Sequence, residues 1–170
     1  MSSYRTHSNK RGIMAFDYME QRRIMGNFAT GVTIITTRYE EKLQGMTANA
    51  VASLSLNPPL VLVSVDNKAH MNNCLKGSEC FAINILTMEQ KELSIRFAKH
   101  GPKDFSDIDY RTEATGSPIF DLALAYVDCQ VTNILPGGDH DIFIGEIVAG
   151  GMQEGNPLVF YNGEYGSFGI

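Results

Sequence analysis

Between Ala123 and Val131 the chain alternates strictly, with Ala123, Ala125, Val127, Cys129 and Val131 on one side and Leu124, Tyr126, Asp128 and Gln130 on the other. Period two is the repeat of a β-strand, whose successive side chains point to opposite faces. Pro136-Gly137-Gly138 then turns the chain, and Asp141 to Ala149 alternates again. The last third of the chain is therefore β. Leu158 to Tyr161 and Glu164 to Phe168 flank Asn162-Gly163, a dipeptide suited to the positive φ angles of a tight hairpin.

The same character runs upstream. Val32 to Thr37 is a β-branched run with high strand propensity. The charged stretch Tyr39 to Gln44 separates it from an extended run that begins at Gly45, and the two read as a hairpin. Asn57-Pro58-Pro59 punctuates the chain before the apolar strand Leu60 to Val65, and Cys80 to Leu86 is another strand. Helices are short. Asp17 with Glu20, and Thr87 with Gln90, have capping-box spacing; the first opens a helix that stops near Gly26, the second one that ends before Gly101-Pro102. A third helix is expected over Met71 to Lys76, ended at Gly77, and residues 101–117 read as a long polar loop.

Six or seven strands with two or three short helices predict a mainly β fold, an antiparallel barrel closed or nearly so, because closure removes exposed strand edges. The 170 residues suit one domain, expected over 16–170, behind a polar disordered leader at 1–15. No GxGxxG follows a first strand, which disfavours a Rossmann fold.

Composition removes several function classes. A net charge of −5 disfavours nucleic acid as a partner, since phosphate binding needs clustered Lys and Arg. No apolar stretch approaches the ~20 residues of a membrane helix. Cys74, Cys80 and Cys129 make an odd count without CxxC spacing, and the four histidines are scattered, so neither a disulfide framework nor a metal site is expected. Buried thiols in a reducing, cytoplasmic compartment fit that usage.

Neither GxSxG nor GxxxxGK[ST] occurs, so hydrolase and P-loop chemistry are not indicated. Three segments stand out instead. Gly45-Met46-Thr47-Ala48-Asn49-Ala50-Val51-Ala52-Ser53 is rich in small polar residues that let a flat ligand approach the backbone and that hydrogen-bond its rim. On pattern alone, an edge strand with solvated Thr and Asn is the commoner explanation. Ser64-Val65-Asp66-Asn67-Lys68-Ala69-His70 ends a strand in a turn where Lys68 and His70 could meet a phosphate, or simply be solvated. Gly137-Gly138-Asp139-His140-Asp141 reads as a hairpin turn, and equally as one that projects an imidazole beside a pocket.

Together these segments resemble the flavin-reductase-like family of FMN-binding split barrels, and most closely the reductase components of two-component flavin-dependent monooxygenases. The landmarks occur in order: Phe28-Ala29-Thr30-Gly31-Val32-Thr33, Gly45-Met46-Thr47-Ala48-Asn49, Ser53-Leu54-Ser55-Leu56-Asn57-Pro58-Pro59-Leu60, Phe81-Ala82-Ile83-Asn84-Ile85-Leu86, Gly138-Asp139-His140 and Pro157-Leu158-Val159-Phe160-Tyr161. The resemblance implies an antiparallel split β-barrel and a homodimer with flavin near the subunit interface. It also implies hydride transfer from NADH or NADPH to FMN or FAD, with reduced flavin supplied to a monooxygenase. It maps flavin contacts onto Thr33, Thr47, Ala48, Asn49, Ser53, Ser64, Asn67 and Lys68, and the nicotinamide contact onto His140. Where relatives place Ser or Thr after the basic turn residue this chain has Ala69-His70, so His70 is the expected substitute at the phosphate. The hydride step belongs to the two cofactors, so no catalytic triad is required. The competing reading is a non-catalytic flavin-binding electron carrier on the same barrel.

Overall fold

The computed structural model describes residues 16–168; the expected leader at 1–15 lies outside them. Its frame is a seven-stranded antiparallel sheet. In chain order the helices and strands that build and flank it are α1 (Tyr18–Met25), β1 (Thr30–Gly31), β2 (Thr33–Tyr39), β3 (Lys42–Ala48), β4 (Val51–Leu56), β5 (Pro59–Asp66), α2 (His70–Ser78), β6 (Cys80–Ile85) and α3 (Lys91–Ala98). After them come β7 (Tyr110–Arg111), β8 (Ile119–Phe120), β9 (Ala125–Gly137), β10 (His140–Met152), β11 (Leu158–Tyr161) and β12 (Glu164–Ser167).

The sheet order is β3-β2-β6-β9-β10-β5-β4. The two edge strands, β3 and β4, are neighbours in sequence, joined only by Asn49-Ala50. The sheet therefore curls until its first and last strands meet, but they form no ladder with each other, which leaves a barrel with an open seam. Register shifts in β9–β10 near Gly145 and Val148, and in β4–β5 near Leu54, supply the local bends that such curling needs. At Gly145 a Cβ would stand 2.6 Å from the Phe81 ring, so the absent side chain lets β10 close over the core.

Inside the barrel, Ile35, Val63, Val65, Phe81, Ile83 and Phe143 are buried. A second core, of Val32, Ile34, Leu86, Phe97, Phe120 and Leu158, joins the outer face of the barrel to α3 and to the small sheet β1-β11-β12. Buried Asn84 ties β6 to its surroundings: its amide donates to the Ile34 carbonyl at 3.2 Å and the Thr36 hydroxyl at 3.0 Å, and its carbonyl accepts from the Phe120 amide at 2.8 Å. A buried polar group fully paired in this way fixes the register of the strands it joins.

Four sequence expectations need correction. The charged stretch 39–44 is mostly strand, because Glu40 and Glu41, at φ 49° and 59°, turn the chain in two residues. Paired positive φ angles match the twist of a hairpin, so the strands continue right up to the turn. The segment Gly45 to Ser53 is not one strand: it breaks at Asn49-Ala50, where the chain crosses the seam. The helix expected to stop at Gly77 runs to Ser78, with Glu79 left-handed at its C-cap, φ 55°. Gly77 answers a packing demand instead, since a Cβ there would meet the Tyr39 ring at 2.1 Å. Finally β9 continues through Pro136-Gly137, so the turn is only Gly138-Asp139.

The capping signals have different outcomes. Asp17 accepts from the Met19 amide at 3.0 Å, but Glu20 pairs with Arg23 at 3.0 Å instead of closing a box. The Thr87–Gln90 box forms, and opens a single 3-10 turn ahead of α3.

Candidate functional site

Two clefts lie along the free edge of β3, and a third follows at the Asn49-Ala50 junction. The first lies between Gln44-Gly45-Met46, the start of α2 at His70, and the end of α3 with the loop behind it, from Lys99 to Lys103. The second is formed by Val32, Thr47, Ala48, Asn49, Phe160 and Tyr165, and it shares Ala98 with the first. The third, of ≈ 410 Å³, crosses the seam and is bounded by Asn49 to Ala52, Leu62, Ser64 and Thr30, with Met25 and Phe28 at its rim. That volume is within the range of small-molecule sites, about 300–1,000 Å³. The groove exists because β3 and β4 part at Asn49-Ala50, which exposes backbone and short side chains together.

Thr30, at the edge of the third cleft, carries an unpaired polar atom. The Thr30 hydroxyl is buried and, among the described residues, has no hydrogen-bond partner. Burying an unpaired hydroxyl costs about 1–3 kcal/mol, so such groups are rare unless something else completes them. Asn49 and Ser64 border the same cleft, and a flat heterocycle with a polar rim fits that donor set. Thr30 belongs to one of the landmark segments, but no local pattern marks its hydroxyl as unpaired.

A second constellation stands at the end of β5. His140 is registered opposite Asp66, and Ile142 opposite Ser64. Period two then puts Ser64, Asp66, His140 and Ile142 on one face of the sheet, opposite the buried Val63, Val65 and Phe143. His140 Nδ1 lies 2.7 Å from the Asp139 carboxylate. The Asn67 amide donates to the Asp139 carbonyl at 3.0 Å, which locks the β5–α2 turn to the Gly138-Asp139 turn. Hydrogen bonding to His140, reinforced by its charge and more distantly by Lys68, holds the Asp139 carboxyl below the usual carboxylate range. On the core side, Asp141 is also held low, chiefly by Lys76 at 2.7 Å and then by the Asn72 amide, which clamps α2 across the barrel end.

The expected site residues are thus gathered unevenly. Thr47, Ala48 and Asn49 line the second cleft, Asn49 and Ser64 the third, and His70 the first. Thr33 is buried in β2, and its hydroxyl donates to the Ala48 carbonyl at 2.7 Å, holding β2 to β3. The Thr47 hydroxyl likewise donates to the Ser94 carbonyl at 2.7 Å, so Thr47 meets the cleft with its remaining surface. Ser53 is exposed on β4, and Asn67 and Lys68 are exposed in the turn before α2. His70 Nε2 is 3.3 Å from Cys74 Sγ.

Sequence reading missed Thr30, Tyr165 and the Lys99-His100-Lys103 wall. Tyr165 shares a 2.9 Å hydrogen bond with Ser94 and stands 5.2 Å from Phe160, centroid to centroid, and only the fold brings β12 to α3. The three cysteines are free, and burial pushes the Cys129 thiol up to about 12, with Asp128 adding to the effect. Among the described residues no three His, Cys, Asp or Glu side chains converge on a metal position, and no helix is long and apolar enough to cross a membrane.

Comparison with known proteins gives a consistent result. Residues 25–169 match the model of the flavin reductase like domain. The reductase subunit HsaB of a flavin-dependent monooxygenase from Mycobacterium tuberculosis is 38% identical over 149 residues, which cover 85% of this chain and 79% of that protein. An NADH-dependent flavin reductase from a Rhodococcus species is 38% identical over 151 residues, 86% of this chain and 84% of that protein. The flavin reductase PheA2, in its native state, superposes with a TM-score of 0.84 at 43% identity, covering 91% of this chain and all of that one.

Proposed function

This chain belongs to the flavin reductase-like family, and from that premise we propose that it is an NADH-dependent flavin reductase supplying reduced FMN or FAD to a partner monooxygenase. The observation that carries the reading is the seam groove, with Asn49, Ser64 and the short side chains of Ala50 and Ala52 around one cleft. Relatives named as an NADH-dependent flavin reductase and a monooxygenase reductase subunit support the nicotinamide and the partner.

When bound, the flavin supplies the hydride acceptor and the nicotinamide the donor. The chain's own work is to hold and orient. Asn49 and Ser64 would hydrogen-bond the polar rim of the ring, while Ala48 and the seam backbone would give it a close wall. Thr47 borders it on the β3 side, Ser53 stands exposed further along β4, and Thr33 positions Ala48 through its hydrogen bond. His70, with Asn67 and Lys68 on the adjoining turn, faces the phosphate end. His140 contacts the carboxamide or ribose of the nicotinamide, with its imidazole oriented by Asp139. It would position the donor and need not exchange a proton. Alignment of two bound rings is itself a large catalytic effect, since it removes the entropy of encounter.

The flavin site is completed by a second copy of the chain. Helix α1 buries none of its residues, and Tyr18, Ile24, Met25 and Phe28 are each more than half exposed, at 69%, 52%, 57% and 69%. Met25 and Phe28 border the third cleft, so a homodimer that covers α1 also walls the site. Free thiols and a diffusible reduced product support a cytoplasmic location.

The test is steady-state oxidation of NADH by the purified protein with added FMN or FAD. Turnover that depends on flavin is expected. Tight flavin binding without turnover under any pairing would instead mean an electron carrier.

A further inference from the structure

The first cleft has two walls, and each carries basic side chains. His70 stands at the N-terminus of α2 on one; Lys99, His100 and Lys103 follow α3 on the other, and no acidic side chain lines the space between. Lys103 donates to the Lys99 carbonyl, which folds the loop back against the end of α3. Burial pushes the Lys103 ammonium below its usual range, as expected for a cation with no anion beside it. The nearby Arg96 differs, because Asp107 pairs with it at 2.8 Å through its second guanidinium nitrogen.

We infer that the Lys99-His100-Lys103 wall receives the adenosine diphosphate half of FAD, so that this protein selects FAD over FMN. The inference rests on the flavin reading above and adds the dinucleotide to it. The groove runs along β3 from Asn49 to Gln44, about 17 Å at ~3.4 Å per residue. With the ring at the seam, a ribityl monophosphate brings one phosphoryl group toward His70 and leaves the opposite wall without a counter-charge. A pyrophosphate carries two linked anionic groups and bridges both walls, and its adenosine continues over Met46 and His100. FMN and FAD carry similar total charge, so the selection comes from where the charge sits. NADH carries the same pyrophosphate chemistry, but the wall is continuous with the Thr47–Asn49 edge, where the flavin lies in this reading.

The experiment is equilibrium binding of FAD, FMN and riboflavin, followed by quenching of flavin fluorescence, for the parent and for Lys99→Glu combined with His100→Ala. Lys103 is left in place because it holds the Lys99 carbonyl. The parent is expected to bind FAD about tenfold more tightly than FMN, and the variant to bring the two within about twofold while FMN changes little. A milder pair, Lys99→Gln with His100→Gln, keeps the comparison valid if the first variant melts early. FMN binding as tightly as FAD in the parent overturns the inference, and so does equal loss of both in the variants. A raised KM for NADH with unchanged FAD affinity overturns it too, by assigning the wall to the nicotinamide dinucleotide. Binding of none of the three flavins overturns the flavin reading itself, and this inference with it.

Discussion

The Thr30 hydroxyl is buried without a partner, whereas the Thr33 hydroxyl three residues on is paired within the sheet. Replacing Thr30 with Val removes a polar atom that the apo protein leaves unsatisfied, so the apo melting temperature should hold or rise. Flavin affinity should stay within about twofold, because that hydroxyl is closed off from the cleft. Asn49→Ala should weaken flavin binding roughly threefold to tenfold, one net hydrogen bond of about 0.5–1.5 kcal/mol, with little change in melting temperature; large thermal loss at constant affinity would make Asn49 a solvated edge residue. His140→Ala should lower kcat/KM for NADH by roughly 5–150-fold, about 1–3 kcal/mol of transition-state binding, and spare flavin affinity. Unchanged single-turnover reduction with a lower melting temperature would leave His140 only a turn residue. Asp139 adds a pH dependence. Its folded-state pKa is depressed, so its contact with His140 is fully present above the ordinary carboxylate value near ~3.9 and is lost as pH falls through the lower folded value. The Nδ1 environment of His140, followed by NMR, should therefore show no carboxylate titration above about pH 5.

Among elements, α3 is the one whose position the site depends on most, since its last residue, Ala98, borders both the first and second clefts. It approaches β3 only because residue 45 is glycine: a Cβ there would lie 2.3 Å from the Phe97 ring. Phe97 cannot retreat easily, as it packs edge-on against Phe105 at 5.1 Å and against Phe120 at 5.8 Å. Gly45→Ala should therefore destabilise the fold by about 1–3 kcal/mol and weaken flavin binding as α3 shifts. Gly166→Ala, where a Cβ meets nothing within 4 Å, is the matched control and should stay within about 0.5 kcal/mol. Denaturant midpoints of the two variants check both. Equal small effects would mean that β3 and α3 adjust independently.

At the scale of the whole molecule, the site opens at a seam and the apolar surface beside it is uncovered. Exposed Tyr18, Ile24, Met25 and Phe28 sit in or just after α1, beside the third cleft. Sedimentation should find about twice the 18.8 kDa chain mass at micromolar concentration. Met25→Asp with Phe28→Asp should shift the particle toward the monomer and weaken flavin binding in parallel, because one surface closes both. A monomeric parent would refute this, as would a monomeric variant with unchanged flavin affinity.

Local sequence determined the strands and most of their turns, because period-two alternation, β-branched runs and Asn162-Gly163 act over a few residues. The antiparallel barrel, the Thr87–Gln90 box and the segments around Asn49, Ser64 and His140 were legible for that reason. Contacts across the chain were not. Glu40-Glu41 carries no usual turn dipeptide, and the break at Asn49-Ala50 lies within a run that reads as continuous strand. Gly77 reads as a helix stop from sequence, but it is the Tyr39 ring packed against it that requires a glycine there. The same holds for function: only the neighbouring strand supplies the Ala48 carbonyl that pairs with the Thr33 hydroxyl, and no local pattern singles out Lys99, His100 and Lys103. They become one wall of a cleft only when α3 packs on β3 and α2 reaches the barrel end. Pairing of polar groups and convergence of charges are properties of residues distant in sequence, so tertiary structure alone decided them.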